Sequence, residues 1–419
     1  MLEFALIALV VLVGLWSRPR ARILRGRRLE TPRRRGKGRV SWGKGVVPSE
    51  AETSHFLILG TTGSGKTFAM RRMMREVLSE NACQALVYDA KGEAPPFLEE
   101  LGLPWVTFQP FAEDGVAWDI AADIDTHAAA RQLARILVPE ERAGANSFFT
   151  FAARDLLSEV VVTLQRLGNP WGLHDLVFET RSRKRIDSLL HATMSGSELA
   201  ENYFADERTG GNVLMTLRAR LADLEPVAEA WQGKEARSLR SWLHGNFVLV
   251  LASDESVRAP LDALNQVLFR RIADLLLQQE DCRARRTWLF LDEVREAGKL
   301  DGLSSLLLRG RSKGACCVFG LQDIEGLREV YGVHVANEML GMCSNKAILR
   351  LESPETAAWA SKVFGEFESI ELRSTREGAW GQRRARSEER VRSEVLMPSE
   401  FMGNSGGLTG RNGRFLVGR

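Results

Sequence analysis

The chain contains a glycine-rich octapeptide, Gly60-Thr61-Thr62-Gly63-Ser64-Gly65-Lys66-Thr67, that narrows the choice of fold sharply. It matches the phosphate-loop pattern G-x-x-x-x-G-K-[ST], in which glycines let backbone N–H groups wrap a phosphate. An apolar, strand-like segment, His55–Leu59, precedes it, and a helix-compatible run begins at about Lys66. A helix N-terminus adds a dipole that favours anions. We therefore expect residues 60–67 to bind ATP, with Lys66 on the β- and γ-phosphates and Thr67 on Mg²⁺.

Two adjacent carboxylates at the end of a second apolar strand supply the other half of such a site. Asp292 and Glu293 follow the strand-like segment Thr287–Leu291. A phosphate loop needs a distal acid to hold the metal shell, so Asp292 is expected to bind Mg²⁺ through water. Glu293 is expected to polarise the attacking water, which favours hydrolysis over transfer to another substrate.

Two further polar positions fit the same site. Gln322 follows the apolar segment Ala315–Leu321, where its amide could sense the γ-phosphate; alternatively it is only a polar strand end. The basic turn Arg309-Gly-Arg311-Ser-Lys313 could present an arginine finger to a neighbouring subunit, or it could be a solvated turn. Asp89, which closes the segment Ala85–Asp89, either bonds near the phosphate loop or caps a turn. The patterning leaves these alternatives open.

Apolar strand-like and helix-like segments alternate on both sides of a helical stretch, which predicts a largely parallel α/β sheet covered on both faces. Residues 140 to about 240 have long helical periodicities and few β-rich runs, so they are expected to form an insertion. The expected strands are 55–59, 85–89, 105–108, 247–252, 287–291, 315–321 and 345–351. The expected helices are about 126–137, 147–167, 186–191, 212–230, 260–279, 303–308 and 354–364.

The N-terminus combines an apolar run with a basic segment. Thirteen uncharged residues from Phe4 to Trp16 are followed by six arginines before residue 29. A full membrane span needs about 17 residues or more, and a signal peptide has its basic residues before the apolar run. We expect a membrane anchor with the following chain in the cytoplasm; a buried or peripheral helix and a signal peptide are the alternatives.

Charge is unevenly distributed along the chain. Twelve of the 57 Lys and Arg residues, but only two of the 54 Asp and Glu residues, lie in residues 1–44. This basic collar is expected to be a solvated linker beside anionic lipid, and contact with nucleic-acid phosphates is compatible with it. The remainder is mildly acidic, so any DNA contact should be confined to a channel or a few loops.

The five cysteines are scattered and form no C-x-x-C pair. Neither a disulfide framework nor a zinc site is indicated, and a reducing compartment fits best. Cys316 and Cys317 lie in an expected strand and are interpreted as core residues.

The order of these motifs resembles the TraD/TrwB family, the coupling ATPases of conjugative type IV secretion systems. The resemblance runs from about residue 38 to 400. It rests on the motifs VYDAKGE, SWL…NFVLVLASDES, FLDEV, GRSKG…GLQD, VYG (Val330–Gly332) and ERVRSEVLMPSEF (Glu389–Phe401).

The resemblance implies a RecA-like P-loop NTPase domain with an inserted all-α domain and an N-terminal membrane anchor helix. Six subunits would form a ring at the bacterial inner membrane, single-pass, with the body in the cytoplasm. It also implies DNA-dependent ATP hydrolysis that moves DNA from the relaxase complex to the secretion channel. Gln322 corresponds to the family's γ-phosphate sensor and Arg311 to the arginine that reaches a neighbouring site.

Patterning and resemblance together divide the chain into six segments. These are a membrane anchor (1–17), a basic juxtamembrane linker (18–45), a first nucleotide-binding part (46–141), an inserted all-α domain (142–238), a second nucleotide-binding part (239–402) and a Gly-rich tail (403–419). The all-α domain would face the cytoplasmic mouth of the channel and meet DNA or the relaxase complex. Two other functions stay open: an FtsK- or HerA-like translocase acting on resident DNA, and a nucleotide-gated docking platform with little hydrolysis.

Overall fold

The computed structural model describes residues 22–26, 38–43, 45–79, 84–140, 147–377, 383–403 and 416–418. Its strands are β1 Arg22–Gly26, β2 Val40–Trp42, β3 Gly45–Val47, β4 Phe56–Leu59, β5 Ala85–Asp89, β6 Trp105–Thr107, β7 Ala117–Trp118, β8 Ala236–Arg237, β9 Val248–Ala252, β10 Thr287–Leu291, β11 Ala315–Leu321, β12 Asn345–Ile348, β13 Glu366–Glu377, β14 Arg383–Glu394 and β15 Leu416–Gly418.

The α-helices are α1 Lys66–Val77, α2 Ala94–Glu100, α3 Ile120–Asp123, α4 His127–Leu137, α5 Ser147–Leu167, α6 Leu173–Glu179, α7 Arg183–Leu190, α8 Met194–Phe204, α9 Glu207–Leu221, α10 Glu225–Ala230, α11 Leu239–His244, α12 Arg258–Gln278, α13 Leu303–Arg309, α14 Ile324–Tyr331, α15 Val333–Met342, α16 Pro354–Phe364 and α17 Pro398–Met402. Short 3-10 helices span Ser49–Ser54, Ala222–Leu224, Glu255–Val257 and Gly310–Lys313.

An eight-stranded sheet with the order β15-β12-β4-β11-β10-β5-β9-β6 forms the centre of the molecule. Every neighbouring pair is parallel except β12 and β15. The expected α/β fold with a largely parallel sheet is confirmed. Parallel strands end at the same edge of the sheet, here called the carboxyl edge. The residues that directly follow β4, β5, β10 and β11 all lie at this edge.

The central strands are buried on both faces because alternate residues enter different hydrophobic clusters. In β4, Phe56 and Ile58 belong to one cluster, whereas Leu57 and Leu59 belong to the other. All four side chains are fully buried. Such strands are nearly continuous apolar runs, which is why their positions could be read from the sequence.

The chain between β7 and β9 is mostly helical. Helix α5 packs against α4 and α9, and its buried residues join the same hydrophobic cluster as one face of the central sheet. Among the described residues from 147 to 244, strand structure is limited to β8, which pairs in parallel with β7. The domain bounds 142–238 stay a prediction.

A buried carboxylate ties the two ends of this helical stretch together. Asp123, at the end of α3, is fully buried and accepts hydrogen bonds from the indole N–H of Trp118 (2.6 Å) and the backbone N–H groups of Leu239 (2.7 Å) and Arg240 (3.0 Å). The buried Arg271 guanidinium also donates to the Asp123 carbonyl oxygen at 2.8 Å. The helical stretch therefore begins and ends close to the same point beside the sheet.

A separate three-stranded antiparallel sheet contains β1, β13 and β14. Strand β1 lies within the segment expected to be a linker, and β13 and β14 lie within the expected second nucleotide-binding part (239–402), where no strand was predicted beyond residue 351. Arg25 on β1 forms a bidentate ion pair with Glu368 on β13, both bonds being 2.7 Å. The strands are rich in Arg and Glu, so apolar alternation, the usual strand signal, is absent.

The predicted membrane anchor, residues 1–17, lies outside the described residues, as does most of the Gly-rich tail. Within the part that the structure describes, none of the helices combines the length and hydrophobicity needed to cross a bilayer.

Candidate active site

The phosphate loop joins the end of β4 to the start of α1 at the carboxyl edge. Gly63 and Gly65 have φ values of +72° and +101°, a region that residues with a β-carbon rarely occupy. The Ser64 N–H donates to the Thr61 carbonyl oxygen at 3.1 Å and closes the turn. A β-carbon at Gly60 would lie 2.5 Å from Ser64 Oγ, so this position also requires glycine. The loop therefore has the backbone form that presents N–H groups to an anion.

Lys66 lies at the N-terminus of α1 with its side chain folded into the loop. Its ammonium group donates to the carbonyl oxygens of Gly60 (2.7 Å) and Thr61 (3.4 Å), and the residue is buried. Burial lowers the pKa of Lys66, and the nearby carboxylates of Asp292 and Glu293 oppose this shift. The ammonium group is thus held on the inner side of the loop, where it can meet phosphate oxygens.

Asp292 and Thr67 come together although they belong to different elements. The Thr67 hydroxyl donates to Asp292 Oδ2 at 3.2 Å, while Asp292 Oδ1 is buried without a hydrogen-bond partner among the described residues. Burial raises the pKa of the Asp292 carboxyl, Glu293 raises it further, and Lys66 opposes the shift. A hydroxyl beside an unpaired carboxylate oxygen fits Mg²⁺, which prefers oxygen ligands and completes its shell with water and substrate phosphates.

Glu293 lies beside Asp292 and pairs with a lysine from the neighbouring strand's loop. Lys91 Nζ donates to Glu293 Oε1 at 2.8 Å. This hydrogen bond is the main reason why the pKa of Lys91 is raised. Glu293 has a φ of +53°, which is unusual for a residue other than glycine. Sequence reasoning assigned no role to Lys91, although it lies within the motif Asp89-Ala-Lys91-Gly-Glu93.

Asp89 caps the turn that contains Lys91, which decides between the two alternatives for its role. Its carboxylate accepts hydrogen bonds from the backbone N–H groups of Lys91 (3.3 Å), Glu93 (3.1 Å) and Ala94 (2.8 Å). These bonds fix the turn after β5 and the first turn of α2.

A pocket beside the acidic pair is lined by residues of α1, β5 and α2, including Met70, Val87 and Phe97.

Gln322 lies at the carboxyl edge next to the phosphate loop. It follows Leu321, whose carbonyl oxygen accepts the Gly60 N–H at 3.0 Å, and its side chain is exposed. Gly320, which directly precedes Leu321 in β11, faces the Asp292 carboxylate, because a β-carbon there would be 2.3 Å from Asp292 Oδ1.

Arg311 is not brought to this site. It precedes β11, whose seven residues separate it from the carboxyl edge by roughly 20 Å at about 3.3 Å per residue. Arg311 is exposed, and its guanidinium makes no ion pair or hydrogen bond to any residue that the structure describes. The structure therefore brings together Lys66, Thr67, Asp292 and Glu293, with Gln322 at the same edge and Arg311 at the opposite one.

Cys316 and Cys317 are fully buried within β11, and burial raises the pKa of both thiols. They pack in opposite hydrophobic clusters of the sheet, as expected for core residues.

The chain matches known proteins over most of its length. Residues 39–408 match the family model for the type IV secretion-system coupling protein DNA-binding domain. The coupling protein TraD of Escherichia coli strain K12 is 24% identical over 335 residues, which cover 77% of this chain and 45% of TraD. The chain thus spans less than half the length of that curated relative.

Solved structures of the plasmid coupling protein TrwB share the fold. The complex of TrwB with ADP and Mg²⁺ is 25% identical, with a TM-score of 0.71, and the match covers 91% of this chain and 89% of TrwB. The complex with a non-hydrolysable ATP analogue is also 25% identical, with a TM-score of 0.73, and the match again covers 91% of this chain and 89% of TrwB.

Proposed function

The chain belongs to the family of type IV secretion-system coupling proteins, and we propose that it is a DNA-dependent ATPase that moves DNA towards a secretion channel. The observation that carries the proposal is the Thr67–Asp292 hydrogen bond beside the unpaired Asp292 Oδ1 at the phosphate loop. TrwB, which shares the fold, has been solved with ADP and Mg²⁺ and with an ATP analogue. ATP and Mg²⁺ are therefore the ligands that this site takes.

Each residue of the site has a distinct task in hydrolysis. The loop N–H groups and Lys66 hold the β- and γ-phosphates, and Thr67 and Asp292 hold Mg²⁺, Asp292 through water. When bound, Mg²⁺ neutralises charge on the phosphates. Glu293 accepts a proton from the attacking water, whose oxygen bonds to the γ-phosphorus as the bond between that phosphorus and the leaving oxygen of ADP breaks. Gln322 contacts the γ-phosphate from the neighbouring strand end.

Arg311 acts on the site of the next subunit. Its exposed position, roughly 20 Å from the carboxyl edge of its own subunit, supports action in trans. An arginine supplied by a neighbour stabilises the charge on the transferring phosphoryl group. Because the donor and acceptor surfaces lie at opposite edges, the contact between subunits is head-to-tail, the kind of contact that generates a ring when the rotation between subunits closes. We propose a homo-hexamer.

The rest of the assembly follows from the family. We propose a RecA-like nucleotide-binding domain interrupted by the all-α domain at residues 142–238, and the closure by Asp123 supports such an insertion. Residues 1–17 anchor the protein in the bacterial inner membrane, and the body lies in the cytoplasm. DNA, the relaxase complex and the channel components are the partners.

The test is the ATPase rate of the full chain in detergent, with and without single- or double-stranded DNA, over a range of protein concentrations. We expect a DNA-stimulated rate that rises more than linearly with concentration, because sites are completed by neighbouring subunits. Glu293→Gln should abolish the rate and keep ATP binding. Undiminished DNA transfer by Glu293→Gln would instead indicate a docking platform, and transfer without any relaxase would indicate a translocase of resident DNA.

A further inference from the structure

The proposed mechanism leaves unused the charged side chain that contacts the hydrolytic carboxylate. Lys91 Nζ is 2.8 Å from Glu293 Oε1. The Lys91 side chain is half exposed, at 49%, whereas that of Glu293 is 14% exposed. A surface ion pair contributes little to stability, so this contact has little value as a structural brace. Because Lys91 contacts the residue that would accept the proton of the attacking water, the contact can affect catalysis instead.

The turn that carries Lys91 is rigidly built. The Asp89 carboxylate accepts three backbone N–H groups across it, including that of Lys91. Gly92 has a φ of +70°, which lets the chain turn directly after Lys91. Glu93 then pairs with Arg71 of α1 at 2.6 Å, which connects the turn to the helix that begins at the phosphate loop.

The position of Glu293 is fixed by the strand that it follows, β10. Strands β5 and β10 are neighbours in parallel register, with Tyr88 opposite Leu291, so the residues that follow both strands emerge together. The φ of +53° at Glu293 is a strained conformation that persists only where its surroundings fix it. Both partners of the ion pair are thus fixed by the backbone at the carboxyl edge.

The pairing has a chemical consequence for catalysis. Glu293 can act on the attacking water only when its carboxylate is free to face that water, and the Lys91 ammonium group already holds Oε1 at 2.8 Å. Phosphate oxygens bound at the loop would compete with Glu293 for the same ammonium group, since Thr67 of the phosphate loop, Lys91 and Glu293 line one pocket.

We propose that Lys91 is a positioning residue that restrains Glu293 by holding its carboxylate, and that the phosphates of a correctly engaged nucleotide release it. This inference rests on the proposed ATPase function. Lys91 then links hydrolysis to proper engagement of the nucleotide, and in a DNA-dependent ATPase it keeps the rate low until DNA completes that engagement.

The test compares Lys91→Met with wild type in the full chain, measuring kcat and KM for ATP with and without DNA. We expect kcat without DNA to rise several-fold, KM for ATP to rise because the phosphates lose the Lys91 ammonium group, and the ratio of DNA-stimulated to basal rate to fall. Lys91→Arg, which can re-form the ion pair, should give a basal rate well below that of Lys91→Met. Lys362→Met, at an exposed position on α16, is the matched control and should behave as wild type.

A second comparison separates this inference from the proposed function. The double variant Lys91→Met/Glu293→Gln should be as inactive as Glu293→Gln alone, because the rise in kcat caused by Lys91→Met depends on the Glu293 carboxylate. A Lys91→Met rate equal to or below wild type would overturn the restraint. Wild-type protein without Lys66-dependent ATP hydrolysis would overturn the ATPase function itself.

Discussion

The Thr67 hydroxyl donates a 3.2 Å hydrogen bond to Oδ2 of Asp292, a residue 225 positions further along the chain. The contact joins the phosphate loop to the end of β10, across the intervening strand β11. It brings a hydroxyl and a carboxylate to one point, while Asp292 Oδ1 is buried without a partner among the described residues.

Replacing Thr67 by Val should therefore weaken Mg²⁺ binding. Val has nearly the same shape but no oxygen, so we expect the Mg²⁺ concentration for half-maximal ATP hydrolysis to rise on the order of 10–100-fold. A magnesium titration at saturating ATP measures it. An unchanged half-saturation would contradict the assignment of Thr67 to the metal.

The close approach of β11 to Asp292 gives a second prediction. A β-carbon at Gly320 would lie 2.3 Å from Asp292 Oδ1, so Gly320→Ala must displace the carboxylate. We expect kcat to fall at least about tenfold, in keeping with the sensitivity of catalysis to displacements of about 1 Å. Gly341→Ala is the control, because a β-carbon there meets open space. Equal rates for both variants would argue against a role for this carboxylate.

The sequence predicted the central sheet well because its strands are buried on both faces. The bounds of β5, β10 and β11 agree with the expected segments 85–89, 287–291 and 315–321. Buried parallel strands are short apolar runs, and local composition is sufficient to find them. The phosphate loop could be identified from the sequence because phosphate and Mg²⁺ binding require its glycines, lysine and threonine at this spacing.

The three-stranded sheet could not be found in this way. Its hairpin, β13 and β14, alternates charged residues, and its pairing with β1 joins segments more than 340 residues apart, as the Arg25–Glu368 ion pair illustrates. Strand pairing between such distant segments leaves no local signal. The Lys91–Glu293 ion pair was missed for the same reason, since it depends on the neighbouring order of β5 and β10.

The buried Asp123 gives a prediction about stability. Asp123→Ala would leave the Trp118 indole N–H and the N–H groups of Leu239 and Arg240 without their acceptor. We expect the free energy of unfolding to fall by about 3 kcal/mol or more, measured by urea denaturation. The neighbouring Asp125 pairs with Arg240 at the surface, so Asp125→Ala should cost about 0–1 kcal/mol. Similar losses for the two variants would contradict the bridging role of Asp123.

His55 gives a prediction about pH. Its ring accepts the Cys317 N–H at Nδ1 (3.2 Å) and donates from Nε2 to the Leu307 carbonyl oxygen (3.0 Å). Burial lowers the pKa of His55 from 6.5 to about 4; the Leu307 hydrogen bond opposes the shift and Arg311 adds to it. The unfolded chain therefore takes up a proton first as the pH falls.

Stability should be fully present above pH 6.5 and be lost progressively between pH 6.5 and 4, by on the order of 3 kcal/mol from this residue. Urea denaturation at several pH values measures the slope. His55→Gln, which does not titrate, should flatten it, whereas replacement of the exposed His191 by Gln should not. A slope that His55→Gln leaves unchanged would show that other groups control acid stability.

Arg311 gives the last prediction, which tests the contact between subunits. The residue lies at the opposite edge of the sheet from the phosphate loop of its own subunit, and its side chain is exposed. Arg311→Ala alone should hydrolyse ATP slowly, because the fall would be of the order of 10³-fold for a finger that stabilises the transferring phosphoryl group. Lys66→Ala alone should be inactive, because its own phosphate loop is defective.

Mixing the two variants should restore part of the rate. A subunit with Arg311→Ala keeps an intact loop, and a Lys66→Ala neighbour supplies an intact Arg311, so some contacts in a mixed ring contain one complete site. The ATPase rate across mixing ratios measures this, with the double variant Lys66→Ala/Arg311→Ala as the partner that cannot rescue. Mixed rings that form but hydrolyse no faster than Arg311→Ala alone would count against a finger that acts on the site of a neighbouring subunit.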